Sequence, residues 1–312
     1  MRDKEKLNIA VIGTGHMGVN HARLYRRIKT AKLVAICDSD PTRARDVSRT
    51  LHVPAYIDVS SMLEKERLDA VSVAVPTKDH YEAASAAIKS GISVLVEKPL
   101  ADNVRSGRLL IDLAKKSKVI LMVGHLLRFN PAVNLLKRTL KEHRIGRVIA
   151  GNFSRIGPRP SRMQAVGAVE DLAVHDFDLA RYLFESEVDN LKVHLSFSEN
   201  RRFESYSLIT MRLKNRIIVT SENVWLRSHS FSQRGARVIG TDGVVVADFA
   251  PPRIALYNDK GISRPRVTGN TLKLELEHFL DCVKNHRKPR ATGEDGLAAV
   301  QLVKRALELG QN

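Results

Sequence analysis

The chain of 312 residues contains only two cysteines and one tryptophan, and aromatics make up 5% of it. Cys37 and Cys282 are far apart and each falls within an apolar periodic segment, which suits reduced structural thiols and argues against a disulfide framework or a cysteine metal site. With aromatics so scarce, and basic residues dispersed rather than interleaved with them, stacking on single-stranded nucleic acid is not supported. No zinc-finger spacing, internal repeat or low-complexity linker is present. A run of 18 apolar residues is also missing, and the charged start at residues 1–6 leads straight into a strand pattern rather than a signal peptide. A soluble, cytoplasmic protein without membrane insertion is expected. Acids are in deficit, 34 Asp+Glu against 51 Lys+Arg, for a net charge of +17. That excess favours anionic partners such as nucleotide phosphates, nucleic acid or an anionic membrane surface, and charge alone does not choose among them.

What is present points to two domains, since single cores stop growing near ~250 residues. Residues 7–12, 33–37, 70–74, 93–96 and 119–123 are short apolar, β-branched runs separated by helical patterns. Asp40-Pro41 reads as an N-cap followed by proline at the first helical position, and Gly91 closes the helix through residues 81–89. This rhythm predicts a doubly wound parallel α/β sheet over residues 1–124. After Gly124 comes a helix near Pro131. Strand-like runs then follow one another at 148–156, 191–197, 206–213, 217–225, 237–239 and 244–249, with a hairpin turn at Thr241-Asp242-Gly243. Helices at 272–284 and 294–309 end the chain. Residues 125–312 are therefore expected to form an α+β domain on a large, mostly antiparallel sheet, used for substrate binding and oligomerisation.

Gly13-Thr14-Gly15-His16-Met17-Gly18 follows the first strand and opens a helix. In such a loop Gly13 permits the tight turn, Gly15 lets the backbone approach a pyrophosphate, and Gly18 lets helix and strand pack closely, with the helix N-terminus facing the phosphates. Asp38 ends the second strand, where a carboxylate binds ribose hydroxyls and disfavours a 2′-phosphate. NAD is the expected cofactor and NADP the alternative; Arg43 and Arg45 lie on the following helix and read as solvated. Pro76-Thr77 falls where the nicotinamide half would lie, or is a plain strand-to-helix turn.

Glu97-Lys98-Pro99 ends a buried strand, and ligands of open α/β sheets bind at the carboxyl ends of strands. Cofactor contacts are thus expected from Gly13, Gly15, His16, Met17, Gly18, Asp38, Pro76, Thr77, Glu97 and Lys98. Residues 171–183 read as one helix. Asp171 and His175 are four apart on one face, with Asp178 on nearly the same face and Asp176 pointing elsewhere. A carboxylate one turn from an imidazole can hold its tautomer and make it a general base. The same spacing also describes a surface pair; no second His or Cys spacing accompanies it, so no metal is expected. Combined with Lys98, the pair supplies the parts of an alcohol dehydrogenase.

Gly13 to Gly18, Glu97-Lys98-Pro99, Gly124-His125 with Arg128-Phe129-Asn130-Pro131, and the Asp171, His175, Asp178 spacing together resemble the Gfo/Idh/MocA oxidoreductase family over essentially the whole chain. The resemblance implies a Rossmann domain followed by an α+β domain. It further implies a catalytic set of Lys98, Asp171 and His175, oxidation of a secondary alcohol of a sugar or cyclitol with NAD(P), and a homodimer or homotetramer. A narrower similarity is to the UDP-N-acetylglucosamine 3-dehydrogenase branch, despite departures at Leu127 and Ala165. Between Glu142 and Glu170 the chain carries Arg144, Arg147, Arg155, Arg159 and Arg162 and no acid, a stretch suited to a diphosphate or simply part of the general basicity. Substrate contacts are expected from Arg128, Asn130, Arg159, Arg162, Asp171 and His175. The alternatives are a dehydrogenase of a free sugar or inositol, and a non-enzymatic NAD-bound sensor, which would have no need of Lys98, Asp171 and His175 together.

Overall fold

In the computed structural model of the chain, residues 6–159, 166–197 and 203–310 are described. Six strands alternate with helices in the first part: β1 Leu7–Ile12, α1 His16–Tyr25, β2 Ala31–Cys37, α2 Pro41–Leu51, β3 Ala55–Tyr56, α3 Val59–Lys65, β4 Ala70–Val73, α4 His80–Lys89, β5 Ser93–Glu97, α5 Val104–Ser117 and β6 Leu121–Gly124. The strands form one parallel sheet in the order β3-β2-β1-β4-β5-β6. Its central strands are apolar throughout because helices cover both faces; β4 and the first four residues of β5 are wholly buried. Local chemistry sets the helix starts. Asp40 accepts from the Thr42 and Arg43 N–H groups with Pro41 at the first helical position, and Asn103 accepts from Ser106 N–H. The order reverses between β1 and β4, and the crevice beyond the carboxyl ends of those strands is the ligand position of such folds. Strand β3 has only two residues, too few to leave a periodic signal.

The remaining elements are α6 Pro131–Lys141, β7 Val148–Pro158, α7 Val174–Phe184, β8 Val188–Phe197, β9 Glu204–Leu213, β10 Ile218–Leu226, β11 Gln233–Gly240, β12 Gly243–Phe249, β13 Pro252–Asn258, β14 Gly261–Ser263, α8 Thr271–Asn285 and α9 Gly293–Gly310. Strands β7 to β14 build an eight-stranded sheet in the order β14-β13-β12-β11-β7-β10-β9-β8, antiparallel except for β7 with β10. Its core joins Leu136 of α6 and Phe177 and Leu183 of α7 to Ile209, Met211, Val219 and Val238. The expected helix over 171–183 is split: Val169–Ala173 winds as a π-helical turn and α7 continues from Val174.

The chain divides into two compact units, residues Met1–Leu126 with Asn270–Val300, and Leu127–Gly269 with Gln301–Asn312. The expected second domain, 125–312, therefore gives up α8 and the start of α9 to the first unit. The cause is tertiary pairing: Val123 N–H donates to Ala291 O at 3.0 Å, Met122 bridges Thr292, and α8 packs on α1. Cys37 and Cys282 are both free and buried. No helix among the described residues is long and apolar enough to cross a membrane.

Candidate active site

At the end of β1 the chain turns through Gly13 with φ +86°, and a Cβ there would lie 2.6 Å from the Ala74 carbonyl oxygen. A Cβ on Gly18 would overlap the Gly13 carbonyl oxygen. Gly15 differs, because nothing lies within 4 Å of a Cβ placed on it. As N-cap of α1 it brings no side chain to the first-turn N–H groups, and no acid stands in that turn. These N–H groups, at the positive end of the helix and open to close approach, are what a pyrophosphate requires. His16 is exposed and Met17 half-buried at the same opening. The residues present therefore fit a dinucleotide.

Asp38 is nearly buried and accepts from Thr14 N at 2.7 Å, Thr14 Oγ1 at 2.8 Å and Asp40 N at 3.0 Å. Arg43 Nη1 lies 3.2 Å from its Oδ1, so this arginine is ion-paired and not merely solvated as expected. Burial pushes the carboxyl up, but the Asp40 and Thr14 hydrogen bonds and the Arg43 charge together hold it below the usual range. Asp38 thus ties the glycine loop to β2. Pro76 is exposed and Thr77 half-buried, at a 3-10 turn that opens directly into α4.

At the end of β5, Glu97 Oε2 accepts the Lys98 N–H at 3.2 Å and Oε1 lies 3.1 Å from His21 Nε2. Lys98 itself is half-buried and precedes a cis Pro99. Sequence reasoning missed three neighbours of this turn. His80 places Nδ1 2.8 Å from Pro99 O and Nε2 3.0 Å from Val75 O, tying the ends of β4 and β5 together. His21 of α1 and Glu275 of α8 converge on Glu97, with one ligand atom from each of the three within 4.8 Å of the others. A His one turn beyond the glycine loop is a visible signal; Glu275 has none.

In the second unit α7 sorts its acids. Asp176 is fully buried, bonded by Arg155 Nε at 2.5 Å and Ser221 Oγ at 2.7 Å; burial pushes its carboxyl up against the opposing pull of Arg155 and Ser221. Asp178, expected beside His175, is instead buried and takes a bidentate contact from Arg128, 2.9 Å from Nε and 2.6 Å from Nη2. Arg128 also lies over the Tyr182 ring, 4.9 Å from its centroid. Arg128 and Asn130, expected at the substrate, are thus committed to the fold. Asn130 caps α6 through Ala132 N–H at 2.9 Å and donates to Phe249 O at 3.0 Å. Asp171, in the π-helical turn, and His175, one turn on, remain half-buried while Leu172, Ala173 and Val174 between them are buried. Arg159 Nη2 donates to Val166 O at 3.1 Å, close ahead of that turn. Arg162 lies outside the described residues.

The sequence matches the Gfo/Idh/MocA oxidoreductase family, NAD-binding Rossmann fold, over residues 7–125, and the Gfo/Idh/MocA C-terminal domain over residues 133–246. Among curated relatives, scyllo-inositol 2-dehydrogenase (NAD(+)) of Bacillus subtilis is 29% identical, covering 94% of this chain and 90% of its own. UDP-N-acetylglucosamine 3-dehydrogenase of Acidithiobacillus ferrooxidans is 26% identical, covering 97% of each. A solved structure of a probable dehydrogenase from Thermotoga maritima superposes with a TM-score of 0.86 at 28% identity, covering 98% of this chain and 97% of that one.

Proposed function

This chain belongs to the Gfo/Idh/MocA family of NAD-binding oxidoreductases, and we propose that it oxidises the 3-hydroxyl of UDP-N-acetylglucosamine to a ketone. At the coarser level it is an NAD-dependent dehydrogenase of the kind that acts on CH–OH groups. The proposal rests above all on α7: its two buried acids are paired with arginines, and Asp171 and His175 are the acid and imidazole that stay half-exposed one turn apart.

His175 takes the hydroxyl proton, and Asp171 holds the imidazole in the tautomer that can accept it. Lys98 stabilises the alkoxide as it develops. NAD held at the glycine loop would supply the hydride acceptor for the carbinol carbon. Gly15 and the open first-turn N–H groups of α1 would hold its pyrophosphate and Asp38 its adenosine ribose. Arg159, anchored just ahead of Asp171, supports a sugar carrying a diphosphate.

A second reading, oxidation of a free cyclitol, is favoured by the inositol dehydrogenase at 29% identity and by the burial of Arg128 and Asn130, two of the expected substrate contacts. The two separate in one assay. NADH formation with UDP-N-acetylglucosamine and none with myo- or scyllo-inositol is the expected result, and the reverse pattern replaces the first reading with the second. Lys98→Met and His175→Ala are expected to abolish turnover with NAD binding retained; turnover surviving in either variant refutes the role given to that residue.

A further inference from the structure

Glu275 is fully buried, and neither of its carboxylate oxygens has a hydrogen-bond partner among the described residues. One of them lies within 4.8 Å of both a Glu97 oxygen and a His21 ring nitrogen. Two carboxylates so close in a buried site cannot both be charged unless a cation or proton lies between them.

Three observations say which group carries the proton. Glu97 already has two donors for its charge, the Lys98 N–H on Oε2 and the His21 ring on Oε1. Burial pushes its carboxyl up, yet the hydrogen bond from His21, the Lys98 charge and the Lys98 N–H hold it below the ordinary range. His21 Nδ1 is buried with no hydrogen-bond partner among the described residues, which suits a ring that carries its bonded proton on Nε2 and gives it to Glu97. Glu275 meets no compensating cation: burial first and then the Glu97 charge both push its carboxyl well above the ordinary range. The other titratable groups facing the cluster are Tyr25 on α1 and His80 on α4. Tyr25 is bonded to Ser72 at 2.7 Å and kept neutral chiefly by burial, and burial likewise lowers the His80 imidazole.

We infer that Glu275 is a neutral carboxylic acid whose proton is held toward Glu97, directly or through one water, and that it acts with His21 as a positioning residue for the Glu97-Lys98 turn. Gly124 lies close by: a Cβ there would stand 3.1 Å from Glu97 Oε2, so glycine leaves the carboxylate the room it occupies. A fixed Glu97 fixes the Lys98 N–H bonded to it, and with it the start of the side chain that the reaction uses. The positioning role rests on Lys98 acting in turnover; the protonation of Glu275 does not.

The test uses full-length enzyme and the variants Glu275→Gln and Glu275→Leu. The amide keeps a donor at the same place and cannot ionise. Glu275→Gln is expected to keep kcat within about threefold of the parent, and Glu275→Leu to lose about tenfold or more with NAD affinity retained. The alkaline limb of the kcat profile should move to higher pH in Glu275→Gln, which a purely structural role would not produce. An infrared band of a protonated carboxyl should be present in the parent at neutral pH and absent from Glu275→Gln; this reads the proton independently of Lys98 and serves if the leucine variant fails to fold. Equal losses in both variants, or none in either, overturn the positioning role, and absence of the band overturns the protonation. A stoichiometric divalent metal found by mass spectrometry, whose removal abolishes activity, overturns both. Turnover surviving in Lys98→Met fails the function reading instead and leaves the band as the measure of the acid.

Discussion

Gly15→Ala and Gly18→Ala should separate cofactor binding from folding, although the two positions are one helical turn apart. Gly15 has φ −66° and ψ −166°, which alanine adopts without strain, and its Cβ would meet nothing within 4 Å. Replacing glycine at a compatible site stabilises by about 0.4–1 kcal/mol through the unfolded chain, and the poorer N-capping of alanine offsets a similar amount, so Tm should stay within about 4 °C of the parent. The added methyl occupies the space a pyrophosphate needs. A loss of about 1.4–2.8 kcal/mol in binding corresponds to NAD affinity about 10–100-fold weaker. At Gly18 the methyl would overlap the Gly13 carbonyl oxygen, a backbone atom that cannot swing aside. Helix propensity favours alanine by only about 1 kcal/mol. Overpacking costs roughly 1–3 kcal/mol and is at its upper end where backbone must move, so Gly18→Ala should lower Tm. Thermal melts of ligand-free protein and calorimetric NAD titrations read the two effects. Gly15→Ala binding NAD as tightly as the parent, or melting as low as Gly18→Ala, would refute the assignment of the loop.

Arg128→Ala takes the guanidinium away from the buried Asp178 carboxylate, which costs roughly 3–5 kcal/mol; the denaturant midpoint should fall while KM of the folded enzyme moves little. A raised KM at unchanged stability would return Arg128 to the substrate. Asp38→Ala removes the acceptor of two Thr14 donors, costing roughly 1–3 kcal/mol, and should weaken NAD binding and relax the preference against NADP; an unchanged cofactor ratio counts against the ribose contact. Because the folded Asp38 carboxyl lies below its unfolded value of about 3.9, its stabilisation is present above that pH and is lost as pH falls through the lower folded value. Parent and Asp38→Ala unfolding curves should therefore converge in acid.

The glycine loop, the alternation of strands and helices up to Gly124 and the change to consecutive strands after it were legible in the residues themselves. Each is written in local terms: a period of two or 3.6, an N-cap, a turn that only glycine can make. The same holds for the strand end at Glu97-Lys98 and for the Asp171/His175 spacing. The fate of each polar side chain was not legible. Arg128 and Asn130 look like ligand-binding residues in the sequence, and burial against Asp178 and Phe249 turns them into parts of the framework, as burial against Asp176 does Arg155 of the basic stretch. Two acids of α7 with the same chemistry as Asp171 are consumed in the same way. Tertiary structure alone also returned Asn270–Val300 to the first unit and brought Glu275 beside His21 and Glu97. The physical reason is one of range. Backbone propensity and periodicity act over a few residues, whereas burial and charge pairing depend on partners far along the chain, such as those 76 residues apart at His21 and Glu97.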